Sequence, residues 1–230
     1  ANQRVMEDAI LEFGEKLEKR QGVGLFYYAG HGVQAKGVNY LIPIKSSNRI
    51  KREKDLKYAA VDINQIMDEM SNANNGFNVV ILDACRNNPL SRSFRRSSGI
   101  KGLARMNSPT GTLLAYATAP GKEALDGYGK NGLYTKHFLK NIKTPGLALE
   151  SVFKNVLKGV KAESNNEQIP WVSSSFTGDF YFVAGGSVIE KRSVTVTPKQ
   201  KTMIGKVIIK TDPNDAKIYL NNGYVGRGSE

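Results

Sequence analysis

The sequence predicts an α/β domain, a mainly parallel sheet covered by helices on both faces, followed by a small β module. Three observations carry this expectation. Short apolar runs stopped by glycine or polar residues alternate with stretches of helical period. The chain has 230 residues, 40% of them hydrophobic and 9% aromatic, enough for one domain of roughly 150–200 residues plus an appendage. Finally, the composition turns polar and basic over residues 184–202 before alternating β patterns resume.

Residues 5–19 place Val5, Met6, Ala9, Ile10, Phe13 and Leu17 on one stripe and Glu7, Asp8, Glu15, Lys16 and Lys19 elsewhere, the pattern of an amphipathic helix. Residues 23–29 form an almost wholly apolar run that ends in Gly30-His31-Gly32, which reads as a strand buried on both faces. A second strand is expected over 39–43, a helix over 61–70 and a third, buried strand over 79–84. Residues 86–105 are rich in Asn, Ser, Gly and Arg with almost no acid, the composition of a surface loop. A fourth strand follows at 111–118, then a glycine-rich stretch, helices over 133–142 and 147–161, and the domain closes at residues 178–183. Beyond the linker, residues 205–210 and 216–220 alternate around Asp212-Pro213-Asn214-Asp215, and Asn221-Asn222-Gly223 marks another turn. The expected domains are therefore 1–183, a linker at 184–204 and a partial β module at 205–230.

Composition excludes several classes. One Cys and two His cannot supply an internal disulfide or a four-ligand structural zinc site, so Cys85 is a free thiol and no metal ligands are assigned. No run of about 18 apolar residues would span a bilayer. The 33 Lys+Arg against 21 Asp+Glu leave a net charge of 33 − 21 = +12. The basic residues are dispersed over loops, linker and helix faces without a helix-turn-helix, RNA-recognition or zinc motif, which argues against specific nucleic-acid binding. The chain opens on Ala1 rather than Met, as a processed chain or fragment would, so any address label is unread.

Reactive groups are few. His31 follows one apolar run between two glycines, and Cys85 ends another. If those strands run parallel, both residues emerge on the sheet edge where open α/β sheets bind ligands. A thiol beside an imidazole becomes a thiolate near neutral pH, and the thiolate is the nucleophile.

Tyr27-Tyr28-Ala29-Gly30-His31-Gly32 and Val80-Ile81-Leu82-Asp83-Ala84-Cys85-Arg86-Asn87-Asn88 resemble the two catalytic motifs of the caspase superfamily, in its bacterial metacaspase- and paracaspase-like branch. The separation of 85 − 31 = 54 residues agrees with the roughly 50 by which His precedes Cys in that superfamily. The likeness extends from about Val5 through Phe182 and includes Ala117-Thr118-Ala119-Pro120-Gly121, Asn131-Gly132-Leu133-Tyr134-Thr135 and the stretch from Pro170-Trp171. It implies a three-layer α/β/α sandwich and a cysteine endopeptidase without a cofactor, Ca²⁺ dependence being an open question. Cys85 would be the nucleophile and His31 the general acid/base, with the backbone N–H groups of Gly32 and Cys85 as the oxyanion donors.

The resemblance also frames specificity. Asp83 stands where Asp-cleaving caspases have a neutral Gln, so the first pocket would take Arg or Lys and repel acids. Asp126 is the expected second acid, with Glu123 as alternative, and Thr118 and Ala119 resemble the segment that pairs with substrate backbone. Protein or peptide substrates with a basic residue before the scissile bond are the implied partners. The 86–105 loop lies where caspases carry an inter-subunit linker, so self-cleavage after Arg95, Arg96 or Arg105 is expected. The family's domain begins with a further strand and helix that do not precede residue 5 here, which implies either an associated N-terminal fragment or an exposed sheet edge. The C-terminal segment resembles the start of a PEGA module, leaning towards the cell envelope. The alternative from another class is a catalytically silent caspase-like interaction module.

Overall fold

The computed structural model describes residues 2–44, 46, 49–84, 103–120, 122–127, 129–185, 217–220 and 223–227. The chain divides into two compact units, Ala1–Ser187 and Val188–Glu230.

In the first unit, helix α1 (Gln3–Arg20) begins where the Asn2 side chain accepts the Val5 N–H and ends at Gln21, which adopts the left-handed conformation. Strand β1 (Gly24–Ala35) is longer than its apolar run suggests, because the chain passes through Gly30-His31-Gly32 without turning. It turns instead at Lys36 and Gly37, whose φ values of 50° and 83° make the primed hairpin turn that matches strand twist. The chain returns as β2 (Val38–Ile42), antiparallel to the second half of β1 from His31↔Ile42 to Ala35↔Val38.

A short helix α2 (Leu56–Ala59) leads into β3 (Val61–Asp62) and α3 (Ile63–Asn72). The helical pattern expected from residue 61 starts two residues later, because Asp62 is the cap and its carboxylate accepts the Asn64 N–H. Strands β4 (Asn78–Ala84) and β5 (Thr112–Tyr116) then run parallel to β1, followed by α4 (Leu133–Ile142), α5 (Leu149–Glu163) and an antiparallel edge strand β6 (Trp171–Ser174).

The sheet order is β3-β2-β1-β4-β5-β6. It is a mixed sheet, and parallel pairing is confined to β1, β4 and β5. One face packs Val80, Leu82, Ala84 and Leu114 against Ile10 and Leu17 of α1 and Ile63, Ile66 and Met70 of α3. The other packs Val79, Ile81, Leu113 and Ala115 against Tyr134, Phe138, Val152, Phe153 and Val156 of α4 and α5. These are the three layers expected, with β4 at the centre of both cores.

The closing residues 178–183 contribute one bridge, Ala148↔Tyr181, while Phe180 and Phe182 turn onto the α4–α5 core. One expectation changes: the run at 23–29 is not buried on both faces, since Val23, Leu25 and Tyr27 are 44%, 39% and 38% exposed. Over residues 24–30 β1 pairs with β4 on one side, and among the described residues no strand pairs with its other edge.

The second unit contains an antiparallel hairpin, β7 (Lys217–Leu220) and β8 (Gly223–Arg227). The strand expected at 205–210 and nearly all of the linker lie outside the described residues. Among the described residues no helix is long and apolar enough to cross a membrane.

Candidate active site

Because β1 and β4 are parallel and in register through Ala29↔Asp83 and Gly30↔Ala84, His31, one residue past the paired stretch of β1, lies beside the carboxyl end of β4. Side chains alternate faces along a strand, so Tyr27, Ala29 and His31 stand on one side. That side is the α4 side, since the Tyr27 hydroxyl lies 2.5 Å from Thr135 Oγ1. Asp83 stands on the same side, accepting a 2.5 Å hydrogen bond from Thr135 Oγ1. Tyr27, His31, Asp83 and Thr135, with Asp126 and Lys130 from the loop before α4, line a cavity of about 400 Å³. Cys85 follows Ala84 directly in sequence, two positions beyond Asp83, and lies outside the described residues.

The backbone around His31 follows from the hairpin. A two-residue loop closes with a hydrogen-bonded pair, Ala35↔Val38, and such pairs alternate, so His31 and Val33 address β2 while Gly32 does not. The Gly24 N–H donates to Phe77 O on the approach to β4, and the same alternation directs the even-numbered N–H groups of β1, Gly32 among them, to the β4 side. Gly32 is buried, and a Cβ there would lie 2.6 Å from Leu103 Cγ. At Gly30 a Cβ would lie 2.7 Å from the Tyr28 hydroxyl, which reaches forward to His31 O and Ile42 O at 2.8 and 3.0 Å. Both glycines around His31 thus serve close approach. Burial pushes the Tyr28 hydroxyl up to about 12.

Asp83 is half-buried, and burial raises its pKa; the Thr135 hydroxyl and backbone N–H oppose the rise, and the charge of Asp126 adds to it. Asp126 is exposed on its loop. The loop is tied down by Gln168, fully buried, whose side chain accepts the Leu125 N–H at 2.9 Å and donates to Ala117 O at 2.8 Å. Leu125 O in turn accepts the Leu133 N–H at the start of α4. One amide therefore joins the end of β5 to the acidic loop.

The remaining expected residues fall elsewhere. Glu123 is exposed and is not among the cavity-lining residues. Thr118 is fully buried with no hydrogen-bond partner for Oγ1 among the described residues, Ala119 is half-buried, and neither lines the cavity. Arg105 is exposed, its guanidinium 5.8 Å from the centre of the Trp171 ring. Arg95 and Arg96 lie outside the described residues. The other histidine, His137, is bonded to Glu163 at 2.9 Å between α4 and α5. Sequence reasoning left Tyr27, Thr135 and Gln168 without roles. The first two stood inside the quoted motifs, while Gln168 had no local signal at all.

A family model described as the caspase domain matches residues 1–181, and the fold and the paired strand ends agree with it. The chain belongs to the caspase-domain family, a cysteine-protease-like class. It is 31% identical over 139 residues to the human mucosa-associated lymphoid tissue lymphoma translocation protein 1 and, at the same identity and length, to its mouse homolog. Each match covers 60% of this chain and 15% of the relative, so the chain spans a small part of those proteins' length.

Proposed function

We propose that this chain is a cysteine endopeptidase that cleaves after Arg or Lys, with Cys85 as nucleophile and His31 as general acid/base. The observation that carries the specificity is the cavity beside His31 with Asp83 and Asp126 in its wall. A cationic side chain entering it meets two carboxylates, one of them partly withdrawn from water, where charge pairing is stronger than at an open surface. An acidic side chain meets repulsion.

In the proposed reaction the Cys85 thiolate adds to the scissile carbonyl carbon, and the carbonyl π pair moves to oxygen. Gly32 and Cys85 N–H groups receive that oxyanion, for which the β4-side direction of the Gly32 N–H supports the first. The imidazolium of His31 protonates the leaving amine nitrogen as the C–N bond breaks. A water, deprotonated by the same imidazole, then adds to the thioester, and the thiolate leaves as the acid product forms. His31 is exposed, as a group that meets substrate and water must be.

The same specificity would direct self-processing to the basic loop, and we place it after Arg95 or Arg96 in preference to Arg105. Residues on both sides of Arg105 are pinned: Asn39 brackets Ala104 through its N–H and C=O at 2.8 and 3.0 Å, and the Met106 N–H donates to the Tyr116 hydroxyl at 3.1 Å. A protease needs an extended segment free to leave its surroundings.

Fluorogenic peptides that differ only in the residue before the cleaved bond test the reading. Wild type is expected to turn over Arg and Lys peptides and not Asp peptides, and Cys85→Ala and His31→Ala to lose at least about 10³-fold in rate. Equal rates in wild type and Cys85→Ala would assign the turnover to a contaminant and leave a silent interaction module. Intact mass of the two proteins reads self-processing, which identical masses would refute.

A further inference from the structure

We propose that Thr135 is the positioning residue of the cationic pocket: backed by Tyr27, it holds one oxygen of Asp83 so that the other is presented to the cavity. The proposal rests on the basic-residue reading above and assigns the part that gives that pocket its geometry.

The direction of the protons follows from counting them. Thr135 Oγ1 is 2.5 Å from both Asp83 Oδ2 and the Tyr27 hydroxyl. A carboxylate only accepts, so the single Thr135 proton goes to Asp83, and the Tyr27 proton must go to Thr135. The chain runs one way, Tyr27 to Thr135 to Asp83. Thr135 is also the third residue of α4, where backbone N–H groups have no partner within the helix, and its N–H favours the anionic form of Asp83. The cap residue of α4 is Gly132, which offers no side chain. Asp83 therefore brings, from the neighbouring strand, a carboxylate to the positive end of α4. A Cβ on Gly132 would stand 3.5 Å from Asp83 Oδ2, so the glycine also leaves that oxygen its room.

With Oδ2 occupied, Oδ1 is the atom left for a ligand cation. The groups facing Asp83 are Tyr27 and His31 from β1, Asp126 and Lys130 from the loop, and Tyr134 and Thr135 from α4. Burial and Asp126 both favour the neutral acid, and the two Thr135 donors are the contacts that favour the anion. Removing the hydroxyl frees the carboxyl to rotate and to hold a proton at higher pH. A residue that merely filled space would change stability without moving that titration.

The experiment measures affinity directly, in Cys85→Ala protein, by NMR titration with N-acetyl-argininamide and its neutral counterpart N-acetyl-norleucinamide from pH 4.5 to 8. In the Thr135→Val variant we expect about tenfold weaker binding of the arginine compound, with the acid midpoint of binding raised by about one pH unit. Thr135→Ser is expected to stay within about twofold of the parent, and Tyr27→Phe to lose about two- to threefold, as removing the outer link of a chain should. Unchanged affinity and midpoint in Thr135→Val overturn the proposal while leaving the basic-residue reading intact. If that variant fails to fold by circular dichroism, Tyr27→Phe decides, and identity with the parent is the overturning result. Arginine and norleucine compounds binding the parent equally would remove the basic-residue reading itself, and this proposal with it.

Discussion

β1 and β4 lie side by side, in register from Gly24↔Asn78 to Gly30↔Ala84, and as sequence they look alike: apolar runs that end in a reactive residue. Their surroundings differ. Every residue of β4 is buried except Asp83, which is half-buried, because β1 and β5 flank it and helices cover both faces. Over the same stretch β1 has one paired edge among the described residues, and Leu25 and Tyr27 stay more than a third exposed. Apolar composition qualifies a strand for a centre; neighbours on both edges make it one. The difference also suits the proposed roles. The specificity acid sits at the end of the enclosed strand, where charge pairing is strong, and His31 at the open one, where it can exchange protons with substrate and water.

The comparison can be broken most directly by the same truncation on each strand. Leu82→Ala, at a fully buried site in β4, is expected to cost about 2–5 kcal/mol, the transfer and cavity terms together. Leu25→Ala is expected to cost under about 1 kcal/mol, since little is lost from a side chain already in water. Urea unfolding of both measures the gap, and equal costs would mean that β1 is as enclosed as β4.

A smaller effect sharpens the contrast within β1, whose far half is enclosed. Gly32→Ala would place a Cβ within 2.6–2.8 Å of three Leu103 side-chain atoms, and Leu103 is itself 1% exposed. The expected destabilisation is about 1–3 kcal/mol. Gly22→Ala, with open space around its Cβ, is the near-neutral control in the same denaturation assay.

The smallest effect concerns the join between the two halves of β1. Tyr28→Phe removes the donor to His31 O and Ile42 O and should cost about 1 kcal/mol at neutral pH. The alkaline behaviour adds a signed test. The folded-state pKa of Tyr28 is raised to about 12 above an unfolded value of about 10. Its contribution is therefore complete below pH 10 and declines by about 2–3 kcal/mol as pH rises through 12. Wild type should lose that increment relative to Tyr28→Phe over this window, and parallel pH curves for the two would refute the assignment.

Much of this was legible in the chain itself. The amphipathic spacing at α1, the apolar run at 79–84 and the helices at 133–142 and beyond appear within a few residues of their expected places, because periodicity is local. His31, expected to follow its strand, lies instead within β1, one position past the stretch paired with β4, and Cys85 lies outside the described residues. What was not legible had non-local causes. The run at 23–29 is as apolar as a central strand, but over it β1 has a paired edge on one side only among the described residues. Gln168 sits in an unremarkable polar stretch, and its role depends on a carbonyl 51 residues away. Thr135 was quoted as part of a motif with nothing to say that its hydroxyl would meet residues of two different strands.

By itself, then, the sequence determined which residues could do chemistry and roughly where strands and helices run, since residue type and period are properties of the local chain. Only the tertiary structure decided which apolar run became a true centre and which acid lines the cavity beside His31. It also decided that Asp83 meets the Thr135 hydroxyl at the start of α4. Those outcomes depend on distances between residues tens of positions apart, and such distances exist only once the layers have packed.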